Sequence, residues 1–123
     1  MPSVAIVKGF DRYHNITRAL DLLGSEAICG ATHLLKPNFV STKNQLASTH
    51  REAARAVLDF LRKHSKNPVI IAEGAALHDT YDGFRNFGFN DFVDTYDDVD
   101  LRDLNRDEYG TFTLYDQALN PME

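Results

Sequence analysis

One lysine, a Lys-Pro-Asn triplet and a Glu-Gly pair share a placement in this chain: each follows an apolar run. Lys8 follows Val4-Ala5-Ile6-Val7, Lys36-Pro37-Asn38 follows His33-Leu34-Leu35, and Glu73-Gly74 follows Val69-Ile70-Ile71-Ala72. In open parallel sheets ligands bind beyond the carboxyl ends of the strands, where loops and helix N-termini converge. If the three runs are neighbouring parallel strands, Lys8, Lys36, Asn38, Glu73 and Gly74 line one crevice. Ser41, Thr42, Ser48 and Thr49 are then at hand from the next loop and helix start, with His50 beside them. Such a set suits a small anionic molecule, a carboxylate or a phosphate. Lysine brings charge, hydroxyls bring donors, and a helix N-terminus adds roughly half a positive charge.

Each residue also has a structural reading. Lys8 reads first as a solvated strand-end lysine and second as a ligand contact, and Asn38 is equally an Asx-turn residue after proline. Glu73, behind four apolar residues, is either a buried acid or base or one half of a bridge to a lysine. Gly74 serves a turn or a close approach, since neither GxGxxG nor GxxxxGK[ST] surrounds it. The cluster His78, Asp79 and Asp82 is a weak metal candidate whose spacing matches no zinc or calcium pattern, so a solvated loop is the expectation. His14, His33 and His64 carry less, and no Ser-His-Asp or Cys-His order is present. Cys29, next to Gly30, reads as an inert thiol in an apolar setting. Catalytic residues are not assignable from these patterns.

The elements that position these residues follow from periodicity. The runs at 4–7 and 69–72 are continuous and rich in β-branched residues, as expected of strands buried on both faces. Between 4–7 and 33–35, Asn15 is expected to cap a helix with Ile16, Ala19, Leu20 and Leu23 on the face that lies on a sheet, ended by Gly24. Ala27-Ile28-Cys29 is a short strand or a connection. Residues 38–47 are polar and without helical period. Thr49-His50-Arg51-Glu52 reads as a capping box, opening a helix that buries Ala54, Val57, Leu58 and Leu61 and exposes Arg51, Glu52, Arg55, Asp59, Arg62 and Lys63. Strand, helix and strand over about 33–72 make a βαβ crossover, which implies a mainly parallel sheet with helices on both faces. Further on, Tyr81, Phe84 and Phe87 mark a short helix closed by Gly88, and a smaller helix is expected from about Asp91 to Tyr96. Val99-Asp100-Leu101 and Thr111-Phe112-Thr113-Leu114 alternate as edge strands.

Composition bounds the whole. A chain of 123 residues, 43% hydrophobic and 25% charged, fits a single α/β domain over 1–123 that needs no disulfide or metal staple. Thirteen basic against eighteen acidic residues give a net charge of −5, with the acidic ones thickening over 91–108; nucleic-acid binding, which needs a positive footprint, is not expected. One cysteine points to a reducing, cytoplasmic setting. With neither a leader pattern nor an apolar run near the roughly twenty residues of a membrane span, a soluble protein is expected.

Leu34-Leu35-Lys36-Pro37-Asn38-Phe39-Val40-Ser41, then Ser48-Thr49-His50-Arg51-Glu52 and its helix, then Val69-Ile70-Ile71-Ala72-Glu73-Gly74, occur in an order that resembles the opening of the domain of unknown function 362 family. Asp100-Leu101-Arg102-Asp103-Leu104-Asn105 resembles that family's next strand and loop. The resemblance offers Lys36, Pro37, Asn38, Thr49, His50, Glu73 and Gly74 as motif positions without catalytic roles. It implies that the chain is the N-terminal portion of a longer protein. It also implies a redox alternative, in which an iron-sulfur cluster sits in another, ferredoxin-like segment or in a redox partner, since this chain holds no cofactor pattern. A non-catalytic structural domain is the third reading, and homo-oligomerisation is open under all three.

Overall fold

The structure is a computed structural model that describes residues 3–26, 28–111 and 113–122. Its centre is the β-branched run after Pro68, which forms β2 with Glu73 at its end (Val69–Glu73). Such a run needs partners on both edges. It finds β1 (His33–Leu35) on one side and the last strand, β3 (Val99–Asp103), on the other, all parallel and in the order β1-β2-β3. The register sets His33 against Val69 and Leu35 against Ile71, then Val69 against Val99 and Glu73 against Asp103. The expected mixed α/β fold with a parallel sheet and a crossover over 33–72 is therefore present, with its crossover helix at Arg51–His64.

Among the described residues stand four α-helices, α1 (Arg12–Leu23), the crossover helix α2 (Arg51–His64), α3 (Thr80–Asn86) and α4 (Asn90–Thr95), and a single 3-10 turn at Gln45–Ala47. Val69, Ile71, Val99, Leu35 and Leu101 alternate onto one sheet face and pack there with Ala54 and Leu58 of α2, Phe84 of α3 and Phe92 of α4. Phe39, Phe87 and Phe89 join the same cluster. On the other face Leu34, Asp100 and Arg102 are exposed and Ile70 is half-buried. Gly83 lets α3 lie close to this core, since a Cβ there would sit 2.8 Å from the Phe39 ring. Tyr81, expected on the inner face, is instead half-exposed. Among the described residues no helix is long and apolar enough to cross a membrane.

Several local expectations change. Residues 4–7 form no strand, and Val4 and Ile6 are 85% and 88% exposed. A β-branched run states a preference, but a strand exists only where an edge pairs with it. Asp11, not Asn15, caps α1, its carboxylate accepting the His14 N–H at 2.8 Å, and Gly24 ends the helix as expected. That helix lies on α2 rather than on the sheet, so α2 is covered on two sides. Ala54 and Leu58 are buried as expected, whereas Val57 and Leu61 are only half-buried and Ala56 and Phe60 take buried positions. Of the residues expected outside, only Lys63 is exposed, while Arg51, Glu52, Arg55, Asp59 and Arg62 are half-buried; Arg62 donates to the carbonyls of Asn67 and Asp97. Ala27 and Phe112 lie outside the described residues, and Ile28, Cys29, Thr111, Thr113 and Leu114 belong to no strand.

Covering α2 creates one titratable junction. Asp59 accepts from the Tyr13 hydroxyl at 2.6 Å and from the Tyr96 hydroxyl at 2.7 Å. Burial and then the Asp59 bond push Tyr96 above its ordinary value, and the Asp59 bond followed by burial raises Tyr13. A group whose folded value is raised stabilises the fold fully below its unfolded value and loses that contribution as pH climbs towards the folded one. Melting temperature should therefore fall above about pH 10, and Tyr96→Phe should flatten that fall in a pH-melting series. An unchanged slope in the variant would show that Tyr96 does not carry the effect.

Candidate functional site

At the carboxyl edge of the sheet, Glu73 and Asp103 end adjacent strands in register, on the same face as Ile71 and Leu101. Both carboxylates are buried, at 3% and 4% exposure. A buried charge persists only if it is paired and hydrogen-bonded, and each of these is. Glu73 Oε2 lies 2.5 Å from Lys36 Nζ, and its Oε1 accepts the Phe39 N–H at 3.0 Å. Asp103 Oδ1 accepts the Asn105 N–H at 3.0 Å, while Oδ2 meets Arg106 Nε at 3.2 Å. Arg106 reaches on to Asp79. Glu73 is thus the partner of a lysine, one of its two expected readings.

Lys36 stands where β1 ends, and its side chain is 55% exposed. Its ammonium carries three donors. One goes to Glu73 and one, at 3.3 Å, to the Pro37 carbonyl; the third has no partner among the described residues. The following loop is clamped to the helix start. Asn38 N–H donates to Thr49 Oγ1 at 2.8 Å, and Thr49 N–H donates to the Asn38 carbonyl at 2.8 Å. The expected threonine cap of the capping box is therefore replaced by the next residue. His50 caps α2, with Nδ1 accepting the Glu52 N–H at 3.2 Å, and in the neutral ring its proton then sits on Nε2. Glu52 turns to Arg55 at 2.9 Å instead of back to the cap.

The remaining expected residues divide. Asn38 is exposed, and among the described residues its carboxamide makes no Asx-turn bond. Ser41 serves its loop: Oγ accepts the Lys43 N–H and its carbonyl accepts from Ser48 Oγ at 2.8 Å. Gly74 leaves room for Asn105, whose Oδ1 would lie 2.7 Å from a Cβ at 74 and whose amide donates to the Ala75 carbonyl at 3.0 Å. Lys8 is exposed in the unpaired leading segment, so the strand-end rule does not carry it to this edge. Asp79 caps α3 at the Tyr81 N–H, Asp82 pairs with Arg85, and His78 is exposed with φ 70°. Among the described residues no three or more His, Cys, Asp or Glu side chains are grouped to hold a metal ion. Cys29, expected in an apolar setting, is exposed.

Asp103, Asn105 and Arg106 carry as much of this edge as the residues read from motifs. Their signal is register: Ile71-x-Glu73 and Leu101-x-Asp103 alternate identically once the two strands are aligned. Beside Lys36, between α1, the end of β1 and the first turns of α2, lies a crevice of about 120 Å³. Ile16, Leu35, Pro37, Ala53, Ala54 and Val57 give it apolar walls, and Lys36 and Thr49 are the polar residues on its lining.

A family model described as a domain of unknown function (DUF362) matches residues 34–121, beginning at the second residue of β1 and running through the βαβ crossover, the Glu73–Asp103 edge and beyond. No curated protein and no solved structure matches the chain.

Proposed function

The chain belongs to the DUF362 family of domains of unknown function, and from that premise we propose that it binds a small organic anion at the carboxyl end of its sheet. The carrying observation is the almost wholly apolar crevice between α1, β1 and α2, with Lys36 and Thr49 standing at its lining. A few placed polar groups in an otherwise apolar concavity are the usual make-up of a small-molecule site. The apolar end of the ligand fills the crevice, and its carboxylate or phosphate takes the third donor of the Lys36 ammonium. Thr49, whose oxygen already accepts from Asn38, has its hydroxyl proton free to donate. Glu73 fixes the ammonium from the buried side and leaves the half-exposed side to the ligand. The single exposed thiol of Cys29 suits a reducing, cytoplasmic setting.

The test is a thermal-shift panel of short-chain carboxylates and phosphate monoesters on the wild type and on Ala53→Phe, which fills the crevice from α2. A ligand at a hundred times its Kd adds about 2.7 kcal/mol of stability. The wild type should show such a stabilisation with at least one member, and Ala53→Phe should lose it while keeping its circular-dichroism spectrum. A wild type that responds to no member, or a filled variant that still responds, contradicts the reading.

A further inference from the structure

The sheet has an open edge, and the β-branched run at 4–7 forms no strand among the described residues. Among the described residues nothing pairs with the outer side of β1. Because His33 N–H donates to the Pro68 carbonyl of the β2 side, and pairing in a parallel ladder alternates, the N–H and C=O of Leu34 face away from β2. Leu34 is itself 65% exposed. Along this edge runs a groove of about 320 Å³ whose walls include Ile28, Leu34, Leu35, Val57 and Leu61. Val57 and Leu61 lie on α2, where a helix this well covered would otherwise bury them; here they are only half-buried.

The same molecule carries Val4-Ala5-Ile6-Val7, with Val4 and Ile6 exposed, Ala5 and Val7 half-buried, and the run free of backbone partners among the described residues. Val, Ile and small neighbours in alternation fit a pleated, half-buried surface. An exposed apolar run and an unprotected edge are the usual starting point for pairing between chains.

We infer that the chain forms a strand-exchanged dimer, in which residues 4–7 of each copy add to the β1 edge of the other. Val4 and Ile6 share one face of that strand and cover Val57 and Leu61, while Ala5 and Val7 flank Leu34. The exchange is reciprocal, since both copies hold the same edge and the same run, and it closes as a two-fold dimer. This inference is independent of the anion site.

The experiment is light scattering coupled to size exclusion on the full chain, from a few micromolar to a few hundred micromolar, with amide exchange read at residues 4–7. The wild type should approach twice its 13.9 kDa mass, with slowed exchange at those amides. Ile6→Pro removes the ladder donor from the added strand, and Leu34→Pro removes only the outward-facing donor of β1 and leaves the β1–β2 ladder intact. Either change should return the mass to that of one chain without altering the circular-dichroism spectrum. A wild type of single-chain mass throughout overturns the inference, and if its residues 4–7 are nonetheless protected, the strand adds to its own sheet instead. A dimer that survives both proline variants overturns it as well.

Discussion

Lys36→Ala is expected to lower the unfolding free energy by about 2–4 kcal/mol, and a second change, Glu73→Gln, to restore most of that loss. The pair is buried on one side only: the Glu73 side chain is 3% exposed and that of Lys36 55%. Removing the lysine strands a carboxylate that keeps a single protein donor, the Phe39 N–H. A fully buried pair broken in this way costs about 3–5 kcal/mol; the open side of Lys36 admits water and trims that figure. Glutamine at 73 still offers an oxygen to Phe39 but no charge, so the double variant should be the more stable of the two lacking Lys36. Glu73→Gln alone should be mild, because the half-exposed ammonium can turn into solvent. Urea unfolding followed by circular dichroism on the four proteins gives the coupling energy directly. If the double variant is no more stable than Lys36→Ala, the lysine acts through its methylene stem along the crevice wall and not through its charge.

That pairing explains why the site was only partly legible in the sequence. The βαβ unit is readable because its signals are local: a β-branched run, a helix with apolar residues at three- and four-residue spacing, and a second run. Lys36 and Glu73 follow from it by topology, as the residues at two adjacent strand ends. The run at 4–7 has the same local signal as 69–72 but pairs with no strand among the described residues, and no periodicity reports that. Asp103 and Arg106 depend on the register of β3 against β2, which is settled by packing of Val99 and Leu101 rather than by any pattern at 103–106. The helix cap shifted from Thr49 to His50 because Asn38, eleven residues earlier, claims the threonine hydroxyl. A contact of that span has no signature in the four residues of a capping box.

Phe39 is the clearest case of a residue that sequence patterning passes over, and its removal is expected to be among the most damaging single changes. It lies in a polar stretch without period, yet it is fully buried, with ring centroids 5.4 Å from Phe84, 5.3 Å from Phe87 and 5.3 Å from Phe89, all edge to face. Its backbone is held as firmly: the N–H donates to Glu73 and the carbonyl accepts from Ala76 N–H at 3.2 Å. Phe39→Ala should therefore cost about 3–5 kcal/mol, the range for deleting a buried aromatic ring, against a total of about 5–15 kcal/mol for a domain of ordinary stability. Phe39→Leu, which leaves less of a cavity, should cost clearly less. The two losses are measured by urea unfolding, and amide exchange adds the site's own readout. With the ring gone, the anchor that presents the 39 N–H to Glu73 and sets Asn38 against Thr49 loosens, so the amides of Phe39 and Thr49 should exchange faster than those of β2. If Phe39→Ala costs under about 1 kcal/mol, the neighbouring rings close over the gap. The loop must then be fixed by the Asn38–Thr49 clamp and the Lys36–Glu73 pair alone.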